Sequence, residues 1–192
     1  MKKRILTLAL VFVSAWAMSQ ENWVMDKDHS EIKFGVSHLV ISEVSGEFNE
    51  FDGKVVSSDE EFDGARIVFT AEVSSIDTDN ERRDGHLKSD DFFAAEMYPQ
   101  IKFDGKLVKN EGKYKLQGDL TMRGTTNTVV FDVDYNGTIT DPWGNQKAGF
   151  KISGIVDRFD YGLNWNNLME TGGAVVGKEV KILCNVELQK QS

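Results

Sequence analysis

Period-two alternation of apolar and polar residues recurs along the chain from Ile32 to Leu188, with Gly, Asn or Asp between the runs. Successive side chains of an extended strand face opposite ways, so each run predicts a strand with one buried and one wet face. The clearest series begins at Ile101 with a strand to Val108 and a turn at Asn110-Glu111-Gly112. It continues with a strand carrying Tyr114, Leu116, Gly118, Leu120 and Met122, a turn from Gly124 to Asn127, and a strand carrying Val129, Phe131, Val133 and Tyr135. Turns this short force neighbouring strands to pair antiparallel. The remaining predicted strands are Ile32–Val40, Val44–Val56, Arg66–Ser75, Lys147–Asp157 and Gly177–Leu188. Thr138 to Thr140 extend the strand pattern beyond Asn136-Gly137, which makes that pair a bulge and places the next turn at Asp141-Pro142-Trp143-Gly144-Asn145. Between Ile32 and Leu188 no segment keeps a 3.6-residue apolar period, and only a short helical segment near residues 79–92 is predicted. This is an all-β antiparallel pattern, compatible with a sandwich or a closed barrel.

The first residues have a different character. Lys2, Lys3 and Arg4 precede the apolar run Ile5 to Met18, and Ala17-Met18-Ser19 offers small residues for cleavage. Residues 1–19 are therefore expected to be a secretory signal peptide, with one domain over residues 20–192 delivered to the periplasm or outside the cell. The apolar run is shorter than the roughly 20 residues of a membrane span, so no stable membrane anchor is expected after cleavage. The formal charge of −9 becomes more negative once the basic leader is removed. Lys and Arg are interspersed with acids, which argues against nucleic acid as a partner, since a phosphate backbone needs a basic face. The single Cys184 has no partner for an internal disulfide and alternates with Val180, Ile182, Val186 and Leu188, which makes it a small core residue.

Catalytic arrangements are poorly represented. Asp28-His29-Ser30 cannot converge as a triad, because consecutive residues of an extended chain point to opposite sides. Asp28 or Ser30 is expected to bond local backbone instead. The three histidines, His29, His38 and His86, are scattered singly, so neither a metal nor any other cofactor is expected. His38 continues the apolar face of Ile32, Phe34 and Val36, and reads equally as a hydrogen-bonded core histidine or as a contact to a ligand's polar end. Ser75 to Pro99 is the richest stretch, packing many ionisable side chains and then Phe92-Phe93 between two strands, as functional loops at sheet ends do.

That stretch also carries a resemblance. Ser75-Ile76-Asp77-Thr78, Arg83-Asp84-x-His86-Leu87-Lys88-Ser89-x-Asp91-Phe92-Phe93 and Tyr98-Pro99-x-Ile101-x-Phe103 resemble blocks of the YceI-like family of lipid and polyisoprenoid binding proteins. Upstream, Trp23-x-x-Asp26-x-x-His29-Ser30-x-Ile32-x-Phe34-x-Val36-x-His38 and Gly46-x-Phe48 fit the same family. So do Gly118-x-Leu120-Thr121-x-Arg123-Gly124-x-Thr126, Asp157 to Leu163 and Val176-Gly177-x-Glu179-Val180 downstream. The resemblance implies an eight-stranded antiparallel lipocalin-like barrel that holds a long-chain lipid, and it also suggests a homodimer.

The inward-pattern residues Phe34, Val36, Phe69, Phe103, Leu120, Met122, Phe131 and Phe150 would then line the barrel, with Ile67, Leu116, Val133, Ile152 and Val156 beside them. In sequence alone a filled core has the same pattern as a cavity; the resemblance implies the cavity. Polar donors at its mouth would be His38, Arg83, His86, Lys88, Arg123 and Arg158, with Phe92, Phe93 and Trp165 as lid, wall or plug. Each basic residue has a structural alternative: Arg83 paired with Asp84 or Asp90, Arg123 as a turn residue, Arg158 in an ion pair with its acidic neighbours. The expected function is non-catalytic carriage of a polyisoprenoid, an isoprenoid quinone or a fatty-acyl amphiphile. The rival expectations are an enzyme acting on a bound amphiphile through His38 or His86, and a filled barrel that serves as a stress-associated interaction module.

Overall fold

The structure is a computed structural model that describes residues 20–167 and 174–191. The expected signal peptide, residues 1–19, lies outside the described residues, as do residues 168–173. Among the described residues 11 strands form one antiparallel sheet. They are β1 (Glu21–Met25), β2 (Glu31–His38), β3 (Ser42–Phe48), β4 (Phe51–Ser57), β5 (Arg66–Glu72), β6 (Ile76–Asp77), β7 (Gln100–Asn110), β8 (Lys113–Met122), β9 (Thr125–Thr140), β10 (Gln146–Asp157) and β11 (Val176–Lys190). One helix, α1 (Glu81–Lys88), starts at the Asn80 cap, whose side chain accepts from the Arg83 N–H. β1 pairs with β4 on one side and β11 on the other, which closes the sheet into a barrel.

The barrel has eight staves, three of which are broken in two. β1 resumes as β2 after a 3-10 turn at Lys27–His29, β3 as β4 after Asn49-Glu50, and β5 as β6 after a 3-10 turn at Val73–Ser75. Every break shifts the inward face by one residue: Trp23 gives way to Phe34, Phe48 to Phe51, and Ala71 to Ile76. A period-two strand cannot change phase without extra residues, and the kinks are where those residues sit. The continuous strand expected over Val44–Val56 is thus two strands. Those expected over Ile32–Val40 and Arg66–Ser75 stop at His38 and Glu72, and β1 is an addition that only Trp23 and Met25 marked. At the first break Ser30 mends the ladder: its hydroxyl accepts from the Glu187 N–H at 3.0 Å and donates to the Glu187 carbonyl at 3.4 Å.

The hairpins follow the twist of the strands. Glu111-Gly112 and Arg123-Gly124 have positive φ at both positions (50° and 78°, 48° and 74°), as two-residue type I′ turns require. The second is tighter than the sequence suggested, because β9 already begins at Thr125. Gly149 pairs with Gly137 and Phe150 with Tyr135, leaving Asn136 as the bulge residue. Asp141 closes the next turn by accepting from the Trp143 and Asn145 backbone N–H groups and the Asn145 amide.

One end of the barrel is closed by Phe62, which is 1% exposed in the β4–β5 connection and packs on Trp23, Tyr135 and Phe150 at ring separations of 5.1, 5.7 and 5.2 Å. At the other end lie α1, the Arg123-Gly124 turn, the β10–β11 connection and the β2–β3 turn. In that last turn Leu39 and Val40 hold φ of 52° and 66° although neither is glycine, and Val40 is 71% exposed. A left-handed conformation costs a β-branched residue about 1–2 kcal/mol, more than the entropy penalty of glycine. Val40→Gly is therefore expected to stabilise the fold by about 0.5–1 kcal/mol, measured by chemical denaturation. Destabilisation would show that the Val40 side chain makes a compensating contact.

Candidate functional site

Between the two ends lies a cavity of about 240 Å³, lined from all sides of the barrel by apolar side chains. On β7, Ile101, Phe103 and Leu107 are fully buried, as in an ordinary core. Across the barrel Ile32, Phe34, Val36, Ile152, Val180, Ile182 and Cys184 point inward and are nevertheless only partly buried. On β5 and β8, which flank β7, Ile67, Phe69 and Leu116 are likewise only partly buried, so the interior stands open around much of the wall and most extensively along β2 and β11. The geometry of β7 and β8 helps to set this asymmetry. Gly105 faces Gly118, and a Cβ on either would meet the Phe103 ring at 2.6 or 2.7 Å, so Phe103 folds flat against its own wall.

Sixteen of the residues singled out from sequence line this cavity: Phe34, Val36, Phe69, Phe92, Phe93, Phe103, Leu120, Met122, Phe131, Phe150 and Arg158, with Ile67, Leu116, Val133, Ile152 and Val156. The sequence pattern passed over Phe48 and Phe62, whose strands or loops lie outside a continuous alternation, and over Leu163 in the β10–β11 connection. Cys184 is a wall residue of the cavity as well as a packed one. Burial pushes its thiol up to about 12. The thiolate is the reactive form, so iodoacetamide at pH 8 is expected to alkylate the folded protein about 1,000-fold more slowly than an ordinary thiol. Mass analysis with and without denaturant checks this, and equal rates would show that the wall is wet. The raised value also favours the protonated folded state. Its stabilising contribution is complete below the ordinary thiol value of 9.0 and is lost as pH climbs from there towards about 12.

The cavity's roof is aromatic and basic. Phe92, 6% exposed, packs with His86 and Trp165 at ring separations of 5.0 and 5.3 Å, and His86 and Trp165 lie 4.9 Å apart. Phe93 reaches across to Phe48 at 6.3 Å. His86 Nε2 lies 2.9 Å from Asp91 Oδ2 on the outer side of this cluster, and neither it nor Trp165 lines the cavity. His38 sits at the end of β2, paired with Ser42 and Val176, also outside the lining.

The arginines are held in ways that the sequence did not foretell. Arg83 donates to the Thr78 hydroxyl at 2.7 Å and to the Thr78 carbonyl at 2.6 Å, rather than to Asp84 or Asp90. Asp84 accepts from the same Thr78 through its N–H and hydroxyl. Arg123 is more than a turn residue: it donates to the carbonyls of Phe92, Gly162 and Asp90 at 2.8–2.9 Å, tying two roof segments together. Lys88 lies in a separate polar hollow on the surface beside Asp77, Asp79 and Asp84. Among the described residues Arg158 is not in a carboxylate hydrogen bond; its bonded partners there are backbone carbonyls.

One group of metal-type side chains exists among the described residues, Asp26, His29 and Glu187. Lys147 already supplies its cation, with Nζ bonded to Asp26 Oδ2 and 3.1 Å from Glu187 Oε1. That ammonium holds the Asp26 carboxyl below its ordinary value. His29 pairs with Asp26 at 3.1 Å and Ser30 is committed to Glu187, so Asp28-His29-Ser30 does not assemble a nucleophile.

Comparison with known proteins agrees with this architecture. A YceI-like domain matches residues 23–188. The UPF0312 proteins of Staphylococcus aureus strains N315 and Mu50 are each 40% identical over 167 residues, covering 86% of this chain and 96% of theirs. Among solved structures, a Campylobacter jejuni YceI protein is 28% identical with a TM-score of 0.70, over 81% of this chain and 90% of that one. BcnA of Burkholderia cenocepacia shares the fold at 21% identity and TM-score 0.73, over 85% and 98% of the two chains. A polyisoprenoid binding domain from Saccharophagus degradans, implicated in plant cell wall breakdown, shares it at 12% identity and TM-score 0.64, over 88% and 98%. With its closed eight-stave barrel and a domain match spanning nearly every strand, the chain belongs to the YceI-like family.

Proposed function

We propose that this protein is an exported carrier that holds one long-chain apolar ligand inside its barrel, for transport or storage in the periplasm or outside the cell. The apolar cavity carries this reading. A void of about 240 Å³ left unfilled costs about 6 kcal/mol at ~24 cal/mol per Å³, a large fraction of a domain's stability. Water is a poor filler, because it needs polar partners that this wall does not supply. An alkyl or isoprenoid chain fills the space at a gain of roughly 0.8 kcal/mol per buried methylene, before ordering costs. The polyisoprenoid binding domain with the same fold supports a polyisoprenoid as a candidate ligand, and an isoprenoid quinone or a fatty-acyl amphiphile offers a chain of the same apolar kind.

Binding without catalysis is the better-supported reading because neither His38 nor His86 reaches the cavity, where a general base would meet a bound amphiphile. A filled barrel acting as an interaction module is disfavoured by the partly uncovered inner wall. For self-association the outer faces offer exposed Val68, Val130, Ile155 and Leu183, and the connections between strands offer Ile41 and Trp143.

Native mass spectrometry of the protein purified without detergent from its host tests the proposal, with solvent extraction of whatever is bound. A stoichiometric long-chain lipid supports the carrier. A clean apo mass that persists after isoprenoids and acyl amphiphiles are added overturns it.

A further inference from the structure

The turn between β2 and β3 presents apolar side chains to solvent at the end of the barrel away from the Phe62 plug. Val40 is 71% and Ile41 86% exposed, and Leu39 precedes them with no polar residue between. Turn tips ordinarily carry Gly, Asn, Asp or Ser, which tolerate left-handed backbone and water; here Leu39 and Val40 hold φ of 52° and 66°. The tip is nevertheless fixed. The Leu39 N–H donates to the Val175 carbonyl at 2.9 Å, the Ile41 N–H to the His38 carbonyl at 3.3 Å and the Ser42 hydroxyl to that same carbonyl at 3.2 Å. Among the described residues β3 pairs with β6 only at Glu47 and Phe48, so no strand covers the outer edge of Ser42 to Gly46.

This hairpin continues the cavity wall. Val36 of β2 and Val176 of β11 line the cavity, and His38, paired with Val176, joins them to the tip. A second exposed turn side chain, Trp143 at 85%, lies between β9 and β10 on the side of the Phe62 plug. The charges beside the hairpin are already met: Lys178 and Lys181 of β11 are paired with Asp157 at 3.1 Å and with Glu43 at 2.6 Å. The whole chain is acidic, with a formal charge of −9. An apolar tip beside lysines that are already paired suits an uncharged lipid surface better than an anionic one.

We propose that Leu39, Val40 and Ile41 form a docking tip that dips into a bilayer of neutral lipid, so that the long-chain ligand passes between membrane and cavity at this end without crossing water. The assignment rests on the carrier reading and deepens it, since it names the surface that loads or receives the ligand. A bare hydrocarbon chain is costly to hold in water, and an apolar turn continuous with the cavity wall shortens its path. Two exposed aliphatic side chains give only weak, reversible attachment, which suits a carrier that must leave the membrane again.

The test labels the purified exported protein carrying Ile41→Cys with a polarity-sensitive nitrobenzoxadiazole dye at that position; Cys184, set in the cavity wall, reacts far more slowly. Phosphatidylcholine vesicles are expected to shift the emission to the blue, while the same dye on Trp143→Cys stays unmoved. No shift at position 41, or an equal shift at both positions, overturns the docking tip. A shift that needs no vesicles and grows with protein concentration assigns the tip to a second copy of the chain and also overturns it. Val40→Ser combined with Ile41→Ser, checked by thermal melt, is expected to lower co-sedimentation with these vesicles at least tenfold and to bind hexadecanol in vesicle-free solution as the unaltered protein does. Unchanged co-sedimentation, or loss of hexadecanol binding as well, overturns the tip. If the unaltered protein binds hexadecanol and ignores vesicles, docking fails and the carrier stands; if it binds neither hexadecanol nor geranylgeraniol, both fail.

Discussion

Ile182→Trp is expected to lower affinity for a long-chain ligand by at least 100-fold while leaving the fold as stable as before. Ile182 faces inward on β11, paired with Gly154 on one side and Phe34 on the other, and it lines the cavity without being fully buried. The space over Gly154 is filled by the Phe131 ring, so the larger ring is directed away from that strand and into the lumen. An indole there displaces about four methylenes of ligand, worth about 3 kcal/mol at ~0.8 kcal/mol each, which corresponds to a factor above 100. The same substitution in a tightly filled core would strain it by about 1–3 kcal/mol. Ligand titration and thermal melting on one sample therefore separate a lumen from a core. A lower melting temperature with unchanged ligand affinity would mean that Ile182 packs against protein and that the ligand lies elsewhere.

Phe62→Ala carries the largest stability effect expected at the closed end. Phe62 is 1% exposed, lies among Trp23, Tyr135 and Phe150, and has no neighbouring strand to collapse into the space it leaves. Truncating a buried phenylalanine costs about 3–5 kcal/mol, and the upper part of that range applies where the site cannot close. Loss of the plug also opens a second entrance, so ligand dissociation should accelerate together with the fall in stability. Urea denaturation and a ligand off-rate measure the two effects. A cost below about 1 kcal/mol would show that the surrounding rings close the end without Phe62.

How much of this was legible beforehand depends on the range over which each feature is determined. Strand alternation and turn chemistry are local, and the meander β7–β8–β9, the Asn136 bulge and the Asp141–Asn145 turn appear where the pattern put them. The three broken staves were encoded as well, since the inward phase moves from Phe48 to Phe51 and from Ala71 to Ile76. A reading that followed alternation across the phase change ran two strands into one.

The roles of the arginines were less accessible. Arg83 and Arg158 each stand beside acidic residues in the chain, which suggested ion pairs, and Arg123 beside Gly124 suggested a turn residue. Folding instead brings them to carbonyls of Thr78, of Asp90, Phe92 and Gly162, and of Leu163, Val176 and Gly177. A guanidinium selects partners by three-dimensional approach, and every chain segment offers carbonyls, so residue types carry little information about which are chosen.

By itself, then, the sequence determined the class of fold, the order of its strands and which side of each strand turns inward, because a period-two pattern needs only neighbouring residues to be read. Tertiary structure decided that the barrel closes through β1, that Phe62 stops one end, that β7 is packed while β2 and β11 stay partly uncovered, and that Arg158 stands buried at the cavity's roof. The physical reason is that filled and empty interiors are lined by the same apolar residues. Whether their side chains meet across the middle depends on stave kinks, paired glycines and loop plugs acting over the full width of the barrel.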